Sequence, residues 1–119
     1  MNTFSNDELY HYHHTTGMPL LQARELLRSM APLLCLRVLE ALQKAACVRN
    51  GHLMDPLAVA ADTKTIVADA AAAADAACVL IIGRGKCHAV WKEQARILKV
   101  NHGLIWFSPQ EMNPLIIYD

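Results

Sequence analysis

The chain has 119 residues, 54% of them hydrophobic and 18% charged, with a formal net charge of 0 at pH 7. That length suits one cored domain better than two, and that composition argues for a folded chain and against a disordered one. Neutrality excludes a global electrostatic pull toward nucleic acid or a membrane, and no membrane partner is expected.

The charges are nonetheless sorted along the chain. Asp55, Asp62, Asp69 and Asp75 face Lys64 alone, whereas Arg84, Lys86, Lys92, Arg96 and Lys99 face Glu93 alone. An acidic segment followed by a basic one is either self-complementary or offers a basic face to a partner. Cys35, Cys47, Cys78 and Cys87 show no Cys-x-x-Cys spacing and sit mostly in apolar contexts, as small buried hydrophobes do. Met1 leads into polar residues rather than a signal peptide, so reduced thiols in a cytoplasmic protein are expected. The least polar run, Ile66 to Ile82, is mostly Ala and carries Asp69 and Asp75, which does not read as a membrane span.

In chain order, Ser5-Asn6-Asp7-Glu8 has the form of a capping box and opens a short helix that Gly17 stops. Leu20, Ala23, Leu27 and Met30 then form one apolar stripe on a second helix, over about 19–30. Pro32 breaks the helical path, because inside a helix it costs about 3 kcal/mol. A third helix is expected over about 33–49, with Leu34, Cys35, Val38, Leu39, Leu42 and Ala45 inward and Arg37, Glu40 and Lys44 outward. Asn50-Gly51 ends it.

Thr16-Gly17, Leu20, Ala23, Leu26 and the segment Ser29 to Pro32 resemble the T-G…L-x-x-A-x-x-L pattern in the C-terminal domain of the ribosomal stalk protein family. The resemblance covers this one stretch, and no function or site residue is carried over from it.

Asp55-Pro56 restarts a helix, with Asp as N-cap and Pro next to it, and Asp62-Thr63 caps another that the Ala-rich tract 64–77 continues. From Cys78 the composition turns β-branched. Val79 to Ile82 is read as a buried strand, Lys86 to Asn101 as a helix with Cys87, Val90, Trp91, Gln94, Ala95 and Leu98 inward, and Leu104 to Phe107 as a second strand. Strand, helix and strand have the order of a βαβ crossover. Ser108 to Glu111 repeats the capping box, and Leu115 to Tyr118 is a third strand or a packed tail.

The expected fold is therefore mainly α with a small C-terminal βαβ-like unit. It forms one domain over 1–119, with a helical portion over 1–77 and a smaller α/β-like portion over 78–119. The alternative is all-α, with 64–82 as one helix and Gly83-Arg84-Gly85 as a helix-helix turn.

Gly83-Arg84-Gly85-Lys86 is the sharpest motif. Glycines ahead of a helix let backbone N–H groups converge, and Arg84 and Lys86 add charge, which suits a phosphate. The Walker A pattern fails at Leu80 and Cys87, and the dinucleotide pattern fails at His88. The plainer reading is that the glycines only turn the chain. Lys92, Arg96 and Lys99 line the outer side of the same helix, which serves either a nucleic-acid backbone or ordinary solvation.

His11 and His14 share a helix face beside His13, but two ligands fall short of a zinc set, so no metal is assigned. Cys87 and His88 point about 100° apart on a helix and cannot act as nucleophile and base for each other. No catalytic residue and no cofactor is assigned. The expected function is a small non-enzymatic interaction or regulatory protein that self-associates or binds a protein partner through apolar helical faces. The alternative is phosphate or nucleic-acid binding through Gly83, Arg84, Gly85, Lys86, Lys92, Arg96 and Lys99.

Overall fold

The computed structural model describes residues 1–45 and 52–118. These form two compact units, Met1–Pro56 and Leu57–Asp119. Among the described residues six α-helices and one 3-10 turn account for the regular structure, and no strand occurs.

In the first unit α1 (Asn6–Thr16) packs on α2 (Leu20–Ser29) and on α3 (Pro32–Gln43). The capping box at Ser5 and Glu8 forms in both directions, and Gly17 closes α1. Pro32 stands at the start of α3, where its missing N–H costs nothing, and extended backbone at Met30 and Ala31 separates the two helices. Leu9, Tyr12, Ala23, Leu27, Cys35, Val38, Ala41 and Leu42 fill the core with Leu53. Asn2 fastens the N-terminal segment by donating its side-chain amide to Leu27 O and Met30 O, while its backbone N–H donates to Arg28 O. It thereby takes up carbonyls that the end of α2 leaves open.

Three expectations for this unit are corrected. The third helix ends at Gln43 rather than near 49, because Lys44 caps it and Ala45 is left-handed at φ 52. The expected stop at Asn50-Gly51 lies outside the described residues. Arg37 does not face outward; its guanidinium donates to the Asp55 carboxylate at 2.8 Å, with the Asp55 side chain fully buried. Asp55 is thereby drawn into the unit's interior, and Pro56–Ala58 forms only a 3-10 turn in place of the helix expected there.

The second unit is built on α4 (Lys64–Ala77) and α5 (Lys86–His102). Val67, near the start of α4, meets the C-terminal half of α5. Gln94 donates to Val67 O at 3.2 Å, and Val67 and Ala70 share a core with Leu98 and Trp106. The chain thus doubles back on itself between the helices. Alanines at 70 and 74 let the helix axes approach closely. Thr63 precedes α4, but its hydroxyl donates to Leu57 O at 2.6 Å and makes no side-chain cap. At the other end of the unit Ser108 and Glu111 form a second capping box around α6 (Pro109–Met112).

The βαβ-like unit is the main correction, and the all-α alternative is the one the structure supports. Helix α4 ends at Ala77, short of the 82 that the alternative allowed, and Val79–Ile82 lies in the turn that follows it. Leu104–Phe107 forms no strand. The Leu104 N–H donates to Leu98 O at the end of α5, and Trp106 enters the helical core. Residues 115 and 116 lie in a turn closed by Ile116 N–H to Asn113 O, and 117–118 form no strand. Val79, Ile81, Leu104 and Ile116 thus donate their N–H groups to turn and helix-end carbonyls rather than to a neighbouring strand.

The two readings of residue 80 give different energetics. Leu98 is fully buried and Leu80 is 92% exposed. Leu98→Ala is expected to cost about 2–5 kcal/mol in denaturant unfolding, and Leu80→Ala less than about 0.5 kcal/mol. A buried strand at 79–82 would make the two comparable.

Tyr12 gives a pH dependence. Burial, with a smaller contribution from Cys35, pushes its phenol up to about 12 from 10.0. The stabilisation is fully present below pH 10 and is lost as the pH rises through about 12, amounting to roughly 3 kcal/mol. Unfolding followed over roughly pH 9 to 12 is expected to show this loss, reduced in Tyr12→Phe.

Candidate interaction surfaces

The turn from Cys78 to Gly85 is set by its backbone. The Cys78 N–H still donates to Ala74 O, and Ile81 N–H donates to Cys78 O at 3.0 Å. Gly83 and Gly85 both take φ 85, a conformation that strains any side chain, and Gly85 occupies the N-cap position of α5. The expected reversal at these glycines is therefore present. Lys86 N–H points back to Gly83 O at 3.4 Å, and no side chain caps the start of α5. A Cβ at either glycine meets nothing within 4 Å, so nothing packs against the turn at these two positions.

Of the basic residues, Arg84, Lys92, Arg96 and Lys99 are exposed and Lys86 is half-buried. Arg96 grips Glu93 through several hydrogen bonds on the same helix. That pairing lowers the Glu93 carboxyl and raises the Arg96 guanidinium. Lys92 lies on a small pocket of about 280 Å³ with His88, Trp91, Ser108, Gln110 and Glu111. The basic residues thus spread from the turn along α5 and do not converge on one cavity.

His88 and Trp91 hold the C-terminal segment. His88 Nε2 donates to Tyr118 O at 2.7 Å, and the Trp91 ring meets His88 and Tyr118 edge-on at 5.4 and 5.3 Å. Gln110 adds a bond from its amide to Ile116 O at 2.8 Å. Burial raises the Tyr118 phenol, partly opposed by a bond with Asn113. His88 thus binds the chain end, and Cys87 is half-buried.

In the N-terminal cluster, His13 Nδ1 donates to Met18 O and its ring lies 5.2 Å from that of His14. His11 instead lines an open groove of about 960 Å³ between α1 and α3. Leu36, Leu39 and Leu42 give this groove an apolar floor and wall, and Asp7, Glu8, Glu40 and Lys44 rim it. Lys44 pairs with Glu40 at 2.8 Å in the expected i, i+4 orientation. Among the described residues no three potential metal ligands come together.

Two features escaped the sequence reading. Leu36 is 64% exposed beside buried Cys35 and Val38, and the signal was there to be read, since 36 falls off the 35–38–42 stripe. The exposure of Val79 to Ile82 had no local signal, because a strand and a turn of the same composition look alike until a partner strand is sought.

Comparisons with family models, curated proteins and solved structures find no match to this chain. The similarity of 16–32 to the stalk protein pattern therefore stays a matter of helix spacing. No helix among the described residues is long and apolar enough to cross a membrane.

His88→Ala is expected to cost about 0.5–1.5 kcal/mol, the net worth of one hydrogen bond. Its specific signature is faster amide exchange over 113–118 with exchange in α4 unchanged, read by hydrogen exchange.

Proposed function

We propose that the chain is a small non-enzymatic interaction protein that associates with a second copy of itself through an apolar helical face. The observation that carries this reading is the groove between α1 and α3, with Leu36 exposed at its edge and Leu33 one turn earlier also exposed. A two-fold interface sets one patch against itself, so the patch must be self-complementary. This one is apolar at its centre and carries both signs at its rim, with Asp7 and Glu40 acidic and Lys44 and His11 basic.

Phosphate or nucleic-acid binding through Gly83, Arg84, Gly85, Lys86, Lys92, Arg96 and Lys99 is the second reading. It is supported by the exposure of Arg84, Lys92 and Lys99, which enter no salt bridge among the described residues. The spread of these cations away from any one cavity and the Glu93–Arg96 pair weigh against it.

Sedimentation over a range of concentrations tests the first reading. A reversible dimer is expected, and Leu36→Asp is expected to weaken it at least about tenfold, since a charge replaces a central apolar contact. Helical circular dichroism should be unchanged, as Leu36 is outside the core. A chain that stays monomeric at every attainable concentration overturns this reading.

A further inference from the structure

The turn between α4 and α5 exposes four consecutive aliphatic side chains. Val79 is 65% exposed, Leu80 92%, Ile81 42% and Ile82 85%. Single exposed aliphatics are ordinary on a protein surface, but an uninterrupted run marks a surface that another body covers. Successive side chains in a turn point in different directions. A flat protein surface would therefore cover one side of this run and leave the other in water. Covering all four takes either a deep socket or a fluid that closes around the tip.

Charge selects between surfaces. Arg84, exposed, and Lys86, half-buried, come two and four residues after Ile82, and nothing within 4 Å would meet a Cβ at Gly83 or Gly85 between them. The start of α5 adds the positive end of a helix. Asp75, exposed on the last turn of α4, is the opposing charge at this end, and His88 is exposed on the first turn of α5. The His88 bond to Tyr118 O also brings Ile117, 89% exposed, beside that first turn.

The geometry points to an anionic lipid bilayer as the partner of this tip, with Val79–Ile82 entering the boundary between headgroups and acyl chains while Arg84 and Lys86 stay at the level of the lipid phosphates. Interfacial binding of this kind scales with apolar area inserted plus attraction to anionic lipid, and it needs no membrane-spanning helix. The neutral net charge of the molecule is no obstacle, because the field that matters falls off within about 10 Å and the tip's own balance is basic. The surface is distinct from the α1–α3 groove, so the two associations stand or fall separately.

The test is flotation of the full chain with vesicles of phosphatidylcholine alone and of phosphatidylcholine with phosphatidylserine. Preferential binding to the phosphatidylserine vesicles is expected, weakening as salt rises. Arg84→Ala with Lys86→Ala is expected to reduce that binding by roughly 25-fold, at about fivefold per cation. Leu80→Asp with Ile82→Asp is expected to abolish it while melting temperature stays unchanged, since both positions are exposed. Leu80→Trp supplies an independent readout, with indole emission at the tip shifting to the blue on vesicle addition. Equal failure to bind either vesicle overturns the inference, as does binding that survives the paired Asp substitutions. Two further results also overturn it. One is emission from the Leu80→Trp variant that stays water-like with vesicles while an oligonucleotide binds. The other is self-association abolished by the paired Asp substitutions without vesicle binding.

Discussion

The second unit depends on the chain reversing between Ala77 and Lys86 so that α5 returns along α4. Helix pairs need small residues where their axes come closest, and α4 meets this with Ala70 and Ala74 buried against its partner. Small residues alone bury little area. The larger groups come from elsewhere: Val67 and Leu98 at one level, Trp106 from the segment after α5, and half-buried Trp91 and Ile97 around them. Gln94 is the polar exception inside this face. Its amide is satisfied by Val67 O, an arrangement that makes a buried glutamine tolerable there and that also fixes the register of the two helices.

The first unit solves a different problem. Its helices are short, and isolated helices of that length are marginal in water. The remedy is local: a capping box at Ser5, a proline at the start of α3, and Asn2 over the exposed carbonyls of α2. The Arg37–Asp55 pair then ties α3 to the end of the unit. Asp55 is almost wholly buried, and its carboxylate accepts from the Arg37 guanidinium at 2.8 Å. Replacing the pair by apolar groups is tolerable, whereas removing only the arginine leaves a buried carboxylate without its guanidinium and costs several kcal/mol.

Several helix starts and stops were legible in the sequence because they are governed by residues within four positions of one another, although the end of α3 and the expected helix start at Asp55 were not. Ser5, Gly17, Pro32, Ser108 and the inward stripe of α5 through Gln94 and Leu98 were all readable on that basis. Pairing over longer separations was not. Asp55 next to Pro56 looks like a helix N-cap until Arg37, eighteen residues earlier, is seen to claim it. Val79 to Ile82 and Leu104 to Phe107 have strand composition, and whether they pair depends on where each backbone finds its hydrogen bonds. The candidate cations were legible individually and not as a site: Arg96 belongs to Glu93, and Lys92, Lys99 and Arg84 are spread along one helix and its turn.

The misread strand is informative for a physical reason. A sequence is consistent with its fold when composition, pattern and burial agree, and disagreement carries a free-energy cost that persists only where something offsets it. Val79 to Ile82 disagrees on all three counts, being mostly β-branched in composition, continuous in pattern and open to water. Its backbone is not at fault, since Cys78 O accepts from Ile81 N–H and the two left-handed glycines place the reversal after it. The conflict lies wholly in the side chains, and polar residues at 79–82 would close the same turn without it. The folded chain gains little of its own from four exposed aliphatics, and the proposed bilayer contact is what would take them out of water.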